Sequence, residues 1–208
     1  FRNDYSLEEI TVSSFNDKYV SYGGILYGKT DNVAYSLVTY PSGKLYVKEF
    51  NPMCPQTGVV LSDLRKIEDY ALCDANIAAL LLDRQIVEIG KNALSLHGLI
   101  YVRFNGNPNT SSISYVGAFT DATPEYFVFD DYDNVNLNTF FGVRRDLINL
   151  ATNTVPCEFV EENGVLYAVY NESNVVKVCA SDRKTVELSV AETVTLNGKV
   201  YNQKTIGA

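Results

Sequence analysis

The stretch Ile67-Glu-Asp-Tyr-Ala71-Leu72-Cys-Asp-Ala-Asn-Ile77-Ala-Ala-Leu80-Leu-Leu82 returns further along as Ile89-Gly90-Lys-Asn-Ala93-Leu94-Ser-Leu-His-Gly-Leu99-Ile-Tyr-Val102-Arg-Phe104. Subtracting residue numbers gives 22 at each of the six matched apolar positions (Ile67 and Ile89, Ala71 and Ala93, Leu72 and Leu94, Ile77 and Leu99, Leu80 and Val102, Leu82 and Phe104). A third copy follows a small insertion, with Val116, Ala118, Phe119, Phe127 and Phe129. A repeat of this length marks a solenoid, in which each unit buries its apolar side only by stacking on its neighbours. A lone coil buries too little apolar surface to offset the entropy of ordering it, so contacts between coils must supply the stability.

Within one coil, the alternation in Ile77 to Leu82 suits a short strand with Leu80 and Leu82 pointing inward. Leu99 to Phe104 and Tyr126 to Phe129 read the same way. The segments Ile67 to Leu72 and Ile89 to Leu94 have the close apolar spacing of a helical turn. Each coil is therefore predicted to carry a strand, a corner, a short extended piece and a turn of helix. Gly90 and Gly117 fall at equivalent corners, where positive φ or close backbone approach calls for glycine. The insertion Asn105-Gly-Asn-Pro-Asn-Thr-Ser-Ser112 is turn-forming and would bulge from one corner without breaking the stack.

A longer repeat joins the two halves. Gly23-Gly24-Ile25-Leu26-Tyr27, followed by Ser36-Leu-Val-Thr-Tyr40-Pro41-Ser42-Gly43-Lys44, matches Asn163-Gly164-Val165-Leu166-Tyr167, followed by Val175-Val-Lys-Val-Cys179. Each reads as strand, polar turn, strand, which is a β-hairpin inserted where a coil would otherwise sit. The ends carry fragments of the pattern. Leu7-Glu-Glu-Ile10-Thr-Val12 reads as a corner leading into a strand, and Val194-Thr-Leu196 through Ala208 resembles the Ile89-Gly90 corner. With no initiator methionine and Met53 as its only methionine, the chain reads as a processed or trimmed fragment. The predicted architecture is an α/β repeat solenoid over 1–208, strand-rich with short helical turns. Its core repeats occupy 59–130 and its hairpins 20–48 and 160–188; residues 130–158 are either a degenerate coil or a helix.

Composition narrows the function classes. With 17 basic and 25 acidic residues the net charge is −8, which argues against nucleic acid or an anionic membrane as principal partner. No run of 18 apolar residues is present, so no direct membrane insertion by a helix is expected. The four cysteines (Cys54, Cys73, Cys157, Cys179) form no C-x-x-C pair, so buried free thiols are expected, with no metal and no cofactor. His97 lies in a polar corner, and no nucleophile elbow, phosphate loop or dinucleotide fingerprint accompanies it. No catalytic residue is assigned. Asp130-Asp131-Tyr132-Asp133 is dense enough in oxygen ligands for calcium but lacks the spacing of a calcium loop, and reads first as a solvated corner.

Together these features resemble the BspA-like, or treponemal-type, leucine-rich repeat family, whose units run I-G-x-x-A-F-x-x-C-x-x-L-x-x-I. Ile67 to Leu82 carry that pattern with Cys73 near the family's cysteine. Phe119 keeps its phenylalanine, while Leu72 and Leu94 replace it. The interleaved family segment D-G-[VI]-L-[YF]…Y-P-x-G-K is similar to Gly24-Ile25-Leu26-Tyr27 with Tyr40-Pro41-Ser42-Gly43-Lys44. The resemblance implies a secreted or cell-surface protein that binds a protein partner, a host extracellular protein among the candidates.

Strand geometry supplies a candidate surface. If Ile67, Leu72, Ile77, Leu80, Leu82, Ile89, Leu94, Leu99, Val102, Phe104, Phe119, Phe127 and Phe129 build the repeat core, their strand neighbours form outward columns. These are Ala79, Tyr101 and Tyr126; Leu81, Arg103 and Val128; and Asp83, Asn105 and Asp130. Tyr101, Arg103, Tyr126 and Asp130 are then the candidate partner-binding residues, since tyrosine and arginine favour protein interfaces. The weak polarity of Ala79, Leu81 and Val128 suggests that this face contacts something. Two readings compete: an adhesive binding surface, and an architectural spacer within a larger surface protein. A third is a carbohydrate-processing surface protein.

Overall fold

The computed structural model describes residues 4–31, 33–52, 64–83, 85–96, 98–105, 114–115, 117–119, 124–129, 149–152, 154–171, 173–181 and 192–203. Ten strands form the coil region: β1 (Tyr19–Tyr22), β2 (Ile25–Thr30), β3 (Val33–Thr39), β4 (Val47–Phe50), β5 (Lys66–Ile67), β6 (Ile77–Asp83), β7 (Glu88–Ile89), β8 (Tyr101–Asn105), β9 (Ser114–Tyr115) and β10 (Tyr126–Phe129). β11 (Asn149–Thr152) follows, then β12 (Cys157–Glu162), β13 (Val165–Tyr170), β14 (Val175–Ser181), β15 (Thr193–Leu196) and β16 (Lys199–Gln203). They make three sheets. The first is ordered β1-β2-β3-β5-β7-β9, the central one β11-β10-β8-β6-β4, and the C-terminal one β12-β13-β14-β16-β15.

The 22-residue period is a physical rung. Leu80 lies beside Val102 and Leu82 beside Phe104 in parallel register, and Val102 lies beside Phe127. On the other wall Ile67 pairs with Ile89 at the same offset. Each coil thus gives one strand to the first sheet and one to the central sheet, and the chain climbs by one strand spacing per turn. Ile67, Leu72, Ile77, Leu80, Leu82, Ile89, Leu94, Leu99, Val102, Phe104, Phe127 and Phe129 share one buried cluster between the two walls, and Phe119 packs against its edge. The rings of Phe104 and Phe129 stack there, 5.2 Å apart.

The predicted α/β class with helical turns is corrected: the described residues are strand-rich and hold no helix. The corner Tyr70 to Ala75 is instead a run of turns. Ala71, Cys73 and Ala75 donate to the carbonyls of Glu68, Tyr70 and Leu72, while the alternate amides of Tyr70, Leu72 and Asp74 donate to Lys91, Ala93 and Ser95 in the next coil. Asn92 and Leu94 donate likewise to Gly117 and Ala118. A helical turn needs every amide to fold back on its own segment, and here half of them belong to the neighbouring rung. Positive φ at Tyr70, Asp74 and Asn92 breaks the helix further. Gly90 sits where an added Cβ would lie 2.8 Å from Asp69 Cα, so close approach of coils accounts for this glycine, while Gly117 has φ of 57°.

The hairpin repeat is also structural. β12-β13-β14 reproduces β1-β2-β3: Tyr19 faces Gly28 and Val20 faces Tyr27, as Phe159 faces Ala168 and Val160 faces Tyr167. These residue numbers differ by 140 throughout. Register shifts at Leu26/Tyr27 in the first copy and at Leu166/Tyr167 in the second. Both hairpins turn through two residues of positive φ, Gly23-Gly24 and Asn163-Gly164, the geometry whose twist matches paired strands. The first copy is continuous with the coil stack, since β3 pairs in parallel with β5. The segment Val194 to Gln203, expected as a coil corner, is a third such hairpin, β15-β16, turning at Asn197-Gly198.

Candidate binding surface

The outward column of the central sheet runs through Glu49, Ala79, Tyr101 and Tyr126 in successive strands. It is not open. Tyr101 is 1% exposed, and Ala79, Ile100 and Val128 are equally enclosed. The cover is the C-terminal sheet, whose residues Cys157, Phe159, Ala168, Tyr170, Val175 and Cys179 pack on this face and form a second apolar cluster with it. These residues alternate along β12, β13 and β14, so the pleat points them all to one side.

Ring contacts set the docking. Tyr101 stacks on Phe159 with centroids 5.9 Å apart and planes 19° apart. Tyr126 meets Tyr170 at 6.2 Å. The polar atoms are answered at the rim: the Tyr101 hydroxyl donates to Glu49 and the Tyr170 hydroxyl to Glu125. Lys177 Nζ lies 2.8 Å from Glu125 Oε1, with both side chains largely enclosed. At the sheet's end Gly98 presses against the backbone of Cys179, leaving no room for a Cβ. Burial first, then the bonded carboxylates, pushes both tyrosine hydroxyls well above their ordinary range. Burial likewise pushes the Cys157 and Cys179 thiols up to about 12. Such thiols stay protonated near neutrality and are poor nucleophiles.

The sequence-derived candidates therefore occupy different places. Tyr101 points away from the coil core as its alternation requires, but an enclosed ring cannot meet an external partner, so its place in an exposed surface is corrected. Tyr126 is half-buried in the same seam. Arg103 is half-buried between Leu81 and Val128. Asp130, with Asp131, Asp133, His97, Val116 and Cys54, lies outside the described residues. Glu49, Gly98, Glu125, Phe159, Tyr170 and Lys177 complete the seam without having been singled out by sequence. The signal for Phe159 and Tyr170 is the apolar alternation Cys157-Phe159, Ala168-Tyr170 and Val175-Cys179; Glu49, Gly98 and Glu125 have no such signal. Among the described residues no cluster of three or more potential metal ligands is found, and no helix is long and apolar enough to cross a membrane. Cys157 and Cys179 are free thiols.

Among the described residues, fold and seam define a strand-rich body of stacked parallel coils with a largely antiparallel sheet folded back on its outer face. No family model matches the chain. No curated protein matches it either. Among solved structures the pneumococcal vaccine antigen PcpA is similar at 14% identity with a TM-score of 0.21, the match covering 71% of this chain and 51% of that one. The chain thus spans about half the length of that protein, and at this TM-score the likeness carries no argument.

Proposed function

We propose that the chain is a non-catalytic, architectural segment of a larger secreted or cell-surface protein. Its work is to build a rigid modular body on which partner-binding surfaces are carried. The observation that carries this reading is the enclosure of Tyr101. The aromatic and apolar face that would have been the binding patch is used inside the molecule, to fasten a second layer to the coil stack. Support for the location comes from the repeat motifs that resemble the BspA-like family, in which surface display and adhesion are common.

Adhesion to a protein partner is the second reading, and Phe15 favours it. This side chain is 93% exposed at the tip of a turn fastened by the Asn16 amide on Ser13 and by the Asn16 side chain on the amides of Lys18 and Tyr19. The double variant Tyr101→Ala with Arg103→Ala separates the readings. The architectural one expects a large fall in melting temperature. Unchanged melting with loss of capture of a host matrix protein would reverse the order of the two.

A further inference from the structure

The last hairpin, β15-β16, overhangs the coil stack. Val175 packs into the seam against the stack, and Asn202 shares that face of the sheet by pairing with it. Yet Asn202 is exposed, as are Thr193, Thr195 and Val200 on the same face, Val200 to 55%. The stack therefore stops short of this hairpin. Its outer strand also has an open edge. Bonding alternates along an antiparallel pair. The Gln203 amide donates to Glu192 across the hairpin at 2.9 Å, so Val194 and Leu196 bond to β16 while Thr193 and Thr195 turn their amides and carbonyls away from it. The Asn202 amide, opposite Thr193, accordingly points the other way and donates to Asn174. Among the described residues nothing bonds to the four outward groups of Thr193 and Thr195.

We propose that this edge docks a second copy of the chain, strand β15 against strand β15, antiparallel about a two-fold axis through Val194. The two C-terminal sheets then become one. The free groups set the register. With Val194 opposite Val194 of the second copy, Thr193 exchanges both backbone bonds with Thr195 of the second copy, and the symmetric pair does the same. All four outward groups of each copy are used and none is left over. The side chains agree with this pairing. Thr195, flanked by Val200 on β16, meets Thr193 of the second copy in a row of β-branched residues suited to a sheet surface. On the other face Tyr201 and Val194 continue into the same two residues of the second copy. No charge lies on β15. The opposite edge of the sheet differs: β12 carries Glu158, Glu161 and Glu162. Self-pairing there would bring carboxylates together in a chain whose net charge is already −8. Charged residues guard an edge strand against pairing, and β15 has no such guard.

Sedimentation velocity over a concentration series reads the association directly. A contact of one short strand is weak, so the chain is expected to be monomeric when dilute and dimeric at millimolar concentration. Thr195→Pro removes an outward amide from each copy without touching the bonds to β16. It is expected to keep the parent's melting temperature and to abolish the dimer. Val194→Cys puts a thiol on the axis, where the Cα atoms of a non-bonded pair lie about 4.5 Å apart, within reach of a disulfide. Mild oxidation is expected to trap this variant as a covalent dimer. Thr193→Cys, whose mate across the axis is Thr195, should stay untrapped. A parent that remains monomeric at millimolar concentration overturns the proposal. So does a dimer that survives Thr195→Pro, which would place the association elsewhere. Trapping of Thr193→Cys in preference to Val194→Cys refutes the register and the proposal with it.

Discussion

Tyr101→Ala removes the ring that fastens the C-terminal sheet to the coil stack. With 1% of its surface exposed, Tyr101 counts as a fully buried aromatic, and truncating one to alanine costs about 3–5 kcal/mol from lost burial and the cavity left behind. The stacking on Phe159 adds up to about 1 kcal/mol beyond burial. The hydroxyl contributes less. Its acceptor Glu49 lies at an exposed position and recovers water when the bond is lost, so Tyr101→Phe is expected to cost about 1 kcal/mol. A chain of this size loses roughly 2–4 °C of melting temperature per kcal/mol. Thermal melting followed by circular dichroism should therefore drop by on the order of 10 °C for Tyr101→Ala and by about a quarter of that for Tyr101→Phe. Equal effects of the two variants would mean that the hydroxyl dominates. No effect from either would mean that the seam does not hold the layers together.

Three further outcomes follow from the geometry. Gly98→Ala places a Cβ against the Cys179 carbonyl, so the C-terminal sheet should lift and Cys179 should react with a thiol reagent faster than in the parent; unchanged labelling would refute the close fit. The buried thiols at Cys157 and Cys179, pushed from 9.0 to about 12, bind their protons more tightly folded than unfolded. Their contribution is complete below about pH 9 and is lost as pH rises toward 12, by up to about 1.4 kcal/mol per pH unit for each thiol. Denaturant midpoints measured across that range should fall, and less steeply in Cys157→Ala. Leu80→Asp puts a charge between two walls that exclude water, where an unpaired carboxylate costs several kcal/mol; native strand content surviving it would argue against a shared interior.

The rung spacing could be read directly from sequence because strand register follows alternating apolar side chains, and shifting Val102 off Leu80 would turn a whole strand inside out. The corners depart from the expected helical turns for a physical reason. Close apolar spacing such as Ala71-Leu72 suits both a helical turn and a run of β-turns, and only the partner of each amide distinguishes them. Tyr70, Leu72 and Asp74 find theirs one rung away, which no local pattern states. The same limit applies to Tyr101. Alternation says which side of the strand a residue occupies, and the sheet that covers that side begins more than fifty residues later, at Cys157. The Asn197-Gly198 hairpin is legible from its dipeptide and its likeness to Asn163-Gly164, although the last residues also resemble a coil corner.

The corner amides that reach from one rung to the next, Tyr40 to Ala71, Leu72 to Ala93 and Leu94 to Ala118, lie along the axis of the stack. Tension applied from end to end of such a column peels rungs off singly, whereas a pull across the strands would load a whole wall at once. Each 22-residue rung set loose, as from Ile67 to Ile89, releases roughly 75 Å of extended chain. Lengthening under end-to-end load would thereby proceed in steps of one rung.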